Sequence, residues 1–182
     1  QFEGKMGKLK SVLSLIKFSH TIFALPFALA AMLVAAGGLP DLRTVLLILA
    51  CMVTGRTMAM AFNRYVDADL DARNPRTAGR EIPRGVLSRR FALGLTIAMA
   101  ILFLWAAASI NRLTLLLSPP ALGIILLYSL TKRFTTLSHL FIGLALGIAP
   151  VGAWIAVTGQ WAWEPVILGL GVVFWVAGFD II

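Results

Sequence analysis

The stretch Asn63–Gly85 reads NRYVDADLDARNPRTAGREIPRG and carries four acids and five arginines. The chain around it is strongly apolar, with 59% hydrophobic residues, only 13% charged residues and a mean hydropathy of +0.90. A soluble domain usually carries about 25% charged residues. The composition therefore predicts a membrane protein in which much of the charge is gathered into this one segment.

On both sides of this segment, apolar runs recur at about the length that crosses a bilayer. We predict an all-α fold, a polytopic transmembrane helical bundle that forms one domain over residues 1–182. Prolines 119 and 120 should break or bend the fourth helix, since proline has no N–H to donate. Gly143 and Gly147 form a GxxxG pair, which predicts close helix packing. The six predicted spans are about Leu15–Ala36, Leu42–Val66, Phe91–Ile110, Leu113–Leu130, Leu137–Val157 and Pro165–Ile182.

Positive charge is unevenly distributed over the segments that join these spans. If the N-terminus is cytoplasmic, the outer turns hold only Arg43 and Arg112, and Arg56 lies within a span. All the other lysines and arginines, of 16 in the chain, then lie on the cytoplasmic side. Because cytoplasmic loops are rich in Lys and Arg, we predict a charged cytoplasmic loop at about residues 67–90, in a bacterial inner (cytoplasmic) membrane. The same bias accounts for the net charge of +8, so no nucleic-acid partner is expected.

Three oxygen-bearing side chains in the quoted stretch share one helix face. Asn63, Asp67 and Asp71 are spaced i, i+4, i+8 at the cytoplasmic end of the second span; we call them the polar stripe. Arg56 lies on the same face, roughly 10 Å deeper, where a charge normally faces a cavity or a partner. Carboxylate oxygens suit Mg²⁺, which often joins protein acids to phosphates, and arginines pair with phosphate oxygens. The pattern predicts a magnesium–diphosphate site at the mouth of a polar pocket, with Arg56 at its floor. The alternative is a solvated loop in which topological arginines pair with acids.

The polar stripe resembles the first aspartate-rich motif, NDxxDxxxD, of the UbiA superfamily of intramembrane prenyltransferases. Arg64 stands where that motif has its first Asp. The flanking NPRTAGREIPRG resembles the branch of 4-hydroxybenzoate polyprenyltransferases and their relatives in menaquinone synthesis. YSLTKRFT at 128–135 and IKFSHTIFALPFAL at 16–29 also resemble family segments, so the resemblance covers essentially the whole chain.

The resemblance implies a bundle of nine spans around a central cavity, of which six are present here. A second aspartate-rich motif follows the sixth span in the family, and Asp180 matches its first acid, which predicts that the chain is truncated at its C-terminus. The implied activity is Mg²⁺-dependent transfer of a polyprenyl group from an allylic polyprenyl diphosphate to an aromatic acid such as 4-hydroxybenzoate. That reaction belongs to ubiquinone or menaquinone biosynthesis, and the long isoprenoid would enter from the membrane lipid.

The resemblance also assigns roles to individual residues. Asp67, Asp71 and Asp180 would be catalytic, and with Asn63 they would hold the metal. Substrate binding would fall to Arg56, Asn63, Arg76, Arg80, Tyr128 and Lys132. Within that set, Arg76, Arg80 and Lys132 would bind diphosphate oxygens, while Arg56 and Tyr128 would line the cavity. Arg56 would hold the acceptor's carboxylate or the diphosphate.

Two other classes of protein are weighed against this one. CDP-alcohol phosphatidyltransferases also pair spaced acids with Mg²⁺, but their acid-acid-Gly run followed by Ala-Arg does not occur in this sequence. A non-enzymatic transporter or assembly subunit would use the charged loop for binding. A transporter would be expected to show repeated halves or a second acidic site within the membrane, and the sequence shows neither.

Overall fold

The computed structural model describes residues 25–131, 134–135 and 138–181, without the side chains of 138–139 and 179–181. The described residues form helices and turns, with no strand among them, so the all-α prediction is confirmed. Residues 15–24 of the first predicted span lie outside the described residues. The six helices are α1 (Leu25–Ala36), α2 (Leu42–Arg73), α3 (Arg89–Ile110), α4 (Arg112–Thr131), α5 (Ser138–Thr158) and α6 (Glu164–Ile181).

Four of these helices are long and apolar enough to cross a membrane, namely α2, α3, α4 and the Leu140–Thr158 part of α5. Two shorter apolar helices, Leu25–Ala36 and Glu164–Gly178, accompany them in the described chain. Large apolar side chains such as Trp105, Ile167 and Phe174 are exposed on the outside. An apolar exterior of this extent suits contact with lipid.

Helix α2 is longer than the predicted span and carries the whole polar stripe. It continues past Val66 to Arg73, so residues 67–73 are helical and the predicted loop 67–90 is corrected to 74–88. The helix ends where Asn74 adopts an extended conformation, with φ −100° and ψ 119°. Pro75 follows directly, and a proline disfavours the helical conformation of the residue before it.

Helix α4 runs unbroken through Pro119 and Pro120, so of the predicted break or bend the break does not occur. Prolines are tolerated in membrane helices because side-chain hydroxyls and neighbouring helices can replace the backbone bonds that are lost. One such hydroxyl precedes the pair, since Ser118 Oγ donates to the Thr114 carbonyl at 2.7 Å.

Helices α5 and α6 approach each other very closely, which confirms the packing predicted from the GxxxG pair. A Cβ added to Gly147 would lie 2.7 Å from the Gly169 carbonyl oxygen, and one added to Gly169 would lie 2.5 Å from the Gly147 carbonyl oxygen. At Gly143 a Cβ would lie 2.5 Å from the carbonyl oxygen of Val173. In the rest of the bundle α2 packs on α3, and α1 and α4 both pack on α5.

Candidate active site

The segment between α2 and α3, residues 74–88, is folded against the end of α2. The backbone N–H of Thr77 donates to the Asn74 carbonyl at 2.9 Å, and its hydroxyl donates to the Asp71 carbonyl at 3.0 Å. Further along, Leu87 is buried against Ala61 of α2. These contacts hold the loop arginines in place beside the polar stripe.

The two acids of the polar stripe are buried, whereas the acid between them is not. Asp67 and Asp71 are each only 6% exposed, and Asn63, one turn earlier on α2, is half-buried. Asp69 points outward, where its carboxylate accepts a 3.0 Å bond from exposed Arg89. Asp69 therefore lies apart from the polar stripe.

Arg80 returns from the loop to neutralise Asp71. Its Nη1 lies 2.7 Å from one oxygen of that carboxylate and 2.8 Å from the other. A buried carboxylate is strongly destabilising unless a cation or hydrogen-bond donors compensate its charge. Arg80 supplies that compensation for Asp71.

A basic cavity lies next to this pair. Arg76 and Arg80, both predicted as phosphate ligands, line it together with a third arginine, Arg64. Arg64 is only 4% exposed, and the sequence prediction treated it merely as the loss of an acid. Its spacing from the stripe was a usable signal. Arg64 lies three residues before Asp67 and seven before Asp71, and residues at these spacings lie on the same side of a helix. The complete lining of the basic cavity is Arg64, Asn74, Arg76, Thr77, Gly79, Arg80 and Glu81.

A second, mostly apolar cavity of about 250 Å³ lies between α2, α3, α4 and α5. Arg56, Asn63 and Tyr128 line it, and two of these, Arg56 and Tyr128, are the residues expected from the sequence to line a cavity. On α2 the lining runs from Asn63 to Ile48, a rise of about 22 Å. Arg56 therefore lies on the wall partway along and not at the floor, because apolar residues continue the cavity beyond it.

The structure thus joins the predicted residues into two neighbouring groups. Arg56, Asn63 and Tyr128 line the apolar cavity, and Arg76 and Arg80 line the basic one. Asp67 and Asp71 are buried on α2 one and two turns beyond Asn63. Lys132 and the side chain of Asp180 lie outside the described residues.

The donor set of the polar stripe fits Mg²⁺. Among the described residues no group of three or more His, Cys, Asp or Glu side chains is close enough to hold a metal ion by itself. Magnesium, however, is usually bound by one or two carboxylates and completes its shell with water and substrate phosphates. Asp67 and Asp71, two buried carboxylates one helical turn apart, meet that requirement.

Comparison with known proteins agrees with the resemblance to the UbiA superfamily. The model of the UbiA prenyltransferase family matches residues 24–182. The chain is 31% identical over 147 residues to a 4-hydroxybenzoate octaprenyltransferase of Shewanella loihica, covering 74% of this chain and 51% of the relative. It is 35% identical over 172 residues to a protoheme IX farnesyltransferase of Aeropyrum pernix, covering 93% of this chain and 57% of the relative. The chain thus spans just over half the length of these relatives.

Solved structures of the family share the fold. A UbiA homolog from Aeropyrum pernix K1, solved in the apo form, is 37% identical and superposes with a TM-score of 0.80 over 89% of this chain and 62% of that one. A UbiA homolog from Archaeoglobus fulgidus, bound to DMAPP and Mg²⁺, is 23% identical with a TM-score of 0.76, over 94% of this chain and 62% of that one. From the motif, the helical fold and these matches together, the chain belongs to the UbiA prenyltransferase family.

Proposed function

We propose that the protein containing this chain is a Mg²⁺-dependent prenyltransferase that moves a polyprenyl group from an allylic polyprenyl diphosphate to an aromatic acceptor. The observation that carries the proposal is a pair of cavities lined by consecutive residues of α2, the apolar one by Asn63 and the basic one by Arg64. A basic cavity suits a charged diphosphate, and an apolar cavity about 22 Å long suits an isoprenoid tail. A diphosphate joined to such a tail is the one kind of donor that would use both.

The diphosphate would lie beside Asp67 and Asp71, within reach of Arg76 and Arg80. Asp67 and Asp71 would hold Mg²⁺, whose charge would offset the negative charge that develops on the leaving group. Arg80 already contacts Asp71 and would then be available to the phosphate. The fold neighbour from Archaeoglobus fulgidus, which holds DMAPP and Mg²⁺, shows that this fold accommodates such a pair.

The transfer would break the bond between the allylic carbon and the diphosphate oxygen, and the bonding electrons would leave with the diphosphate. An electron-rich carbon of the aromatic ring would then bond to the allylic cation and afterwards lose its proton. Water is a competing nucleophile, so the reaction requires a dry wall around the cation. The apolar side chains between Ile48 and Asn63, with those of α4 and α5, would provide that wall.

The acceptor is proposed to be an aromatic acid such as 4-hydroxybenzoate, in the synthesis of ubiquinone or menaquinone. Arg56 supports an acidic acceptor, because its cation faces the apolar cavity and could bind a carboxylate there. The relative from Shewanella loihica is named for this substrate, whereas the relative from Aeropyrum pernix is named for protoheme IX. The diphosphate end of the site is proposed to open to the cytoplasm, in the inner membrane of a bacterium.

Product analysis tests this function. Membranes containing the full-length protein would receive polyprenyl diphosphates of several lengths, with 4-hydroxybenzoate or protoheme IX as the acceptor, with Mg²⁺ or with EDTA. Mass spectrometry should detect a prenylated 4-hydroxybenzoate only in the presence of Mg²⁺. If a product forms with protoheme IX and not with 4-hydroxybenzoate, the proposed acceptor is wrong. The absence of any prenylated product would contradict the proposed activity.

A further inference from the structure

We propose that Arg64 is a direct ligand of the diphosphate and completes an oxyanion site with Arg76 and Arg80. The proposal rests on the function proposed above for the identity of the anion. It adds a residue that neither the aspartate-rich motif nor the downstream arginines would have indicated.

The burial of Arg64 is the first observation. Its side chain is 4% exposed, yet its Nε–H is buried without a hydrogen-bond partner among the residues that the structure describes. A guanidinium carries five N–H donors, and burying one of them without a hydrogen bond is destabilising. An anion in the cavity that Arg64 lines would accept a hydrogen bond from that N–H.

The pattern of ion pairs is the second observation. Two close ion pairs in the described part of the chain are Arg80–Asp71 and Arg89–Asp69, and Arg64 takes part in neither. The basic cavity contains three guanidinium groups but only one carboxylate in its lining, that of Glu81. Asp67, Asp71 and Glu81 lie near enough to attract Arg64, and Arg64 adds a third guanidinium group to a lining that holds only one carboxylate.

The position of Arg64 on α2 is the third observation. It follows Asn63 directly and precedes Asp67 by three residues, so the helix holds it beside the polar stripe. Arg76 and Arg80 approach the same cavity from the loop. An oxyanion bound there would be held from the helix on one side and from the loop on the other. The guanidinium groups of these arginines can each donate two parallel hydrogen bonds to phosphate oxygens.

Binding of inorganic diphosphate to the full-length protein tests this role. Affinity would be measured by calorimetry with EDTA, which leaves only contacts made by the protein, and again with Mg²⁺. Arg64→Gln should weaken binding about 10- to 100-fold in both conditions, as expected for the loss of a charge-assisted hydrogen bond. The matched control is Arg90→Gln, an exposed arginine at the start of α3 that does not line the cavity, and it should bind as the wild type does. Unchanged affinity in Arg64→Gln would overturn the proposal and leave Arg64 a structural counter-ion.

A second variant guards against misfolding. Arg64→Ala should lose diphosphate affinity and regain much of it when free guanidinium, but not methylammonium, is added at millimolar concentration. A failure of guanidinium to restore binding to a protein that is folded by size-exclusion chromatography would overturn the proposal.

The outcome is separable from that of the proposed function. If Arg64→Gln weakens diphosphate binding but no aromatic product forms in the wild type, Arg64 keeps its role and the prenyl transfer is wrong. If the wild type forms the product and Arg64→Gln binds diphosphate normally, the transfer stands and the role of Arg64 is wrong.

Discussion

At the scale of single residues, spacing predicted the site well wherever the helix itself fixes direction. The i, i+4, i+8 pattern placed Asp67 and Asp71 on one face, and both are buried, while Asp69 between them is exposed. Contacts made by the returning loop could not be read in this way. The bonds from Arg80 to Asp71 depend on how residues 74–79 turn, and a spacing rule for helices says nothing about a turn.

Arg80 should influence metal and diphosphate binding in opposite directions. In Arg80→Gln the Asp71 carboxylate loses its neighbouring cation, so Mg²⁺ alone should bind more tightly to the full-length protein. The same variant lacks a phosphate ligand, so the KM for the prenyl diphosphate should rise about 10-fold or more. Calorimetry with MgCl₂ and steady-state kinetics measure the two effects. A variant in which Mg²⁺ binding weakens along with diphosphate binding would show that Arg80 does not compete with the metal for Asp71.

At the scale of helices, hydrophobic runs predicted all six elements, and most ends differ by only one or two residues. The exception is α2, which extends to Arg73. The prediction ended it at Val66, just before the charged residues, yet Asp67 and Asp71 are buried there and only Asp69 among these acids is exposed. Pro75, the residue that sets the end of the helix, was visible in the sequence. The unbroken α4 shows the converse, since a proline pair indicates a break less reliably inside a membrane than in water.

The close approach of α5 and α6 depends on Gly147. In Gly147→Ala the new methyl group would lie 2.7 Å from the Gly169 carbonyl oxygen and 2.8 Å from Val173 Cγ2, so one helix would have to move. Overpacking of this kind costs about 1–3 kcal/mol, and the melting temperature in detergent should fall by several degrees. The matched control is Gly171→Ala on α6, where an added Cβ meets nothing within 4 Å. An equal effect from the two substitutions would show that the contact between the helices is not what matters.

At the scale of the whole molecule, composition alone predicted a helical membrane protein, because so apolar a chain has too little polar surface to fold in water. The two cavities were not predictable in the same way. The sequence placed Arg56 at the floor of one polar pocket, whereas apolar side chains from α2, α4 and α5 continue that cavity to Ile48. A cavity is formed by several helices together, and the pattern along one of them does not give its depth.

The proposed orientation in the membrane can be tested by labelling. Cys51 is the only cysteine in the chain, so Cys51→Ala provides a background for the exposed positions Val86→Cys and Gln160→Cys. In intact cells a maleimide that does not cross membranes should label Gln160→Cys, and it should label Val86→Cys only after the membrane is opened. The reverse pattern would place the basic cavity on the outer side and contradict the cytoplasmic loop that the charge distribution predicted.

The central claim is that the buried acids of the polar stripe serve prenyl transfer, and a comparison of two neighbouring acids tests it most directly. Asp67→Asn and Asp69→Asn each remove one negative charge from the same turn of α2, but only Asp67 is buried in the stripe. In full-length protein with Mg²⁺, a prenyl diphosphate and 4-hydroxybenzoate, Asp67→Asn should lower kcat/KM at least about 100-fold, since a carboxylate contact to the metal is lost. Asp69→Asn should stay close to the wild type. Equal activity in the two variants would contradict the account.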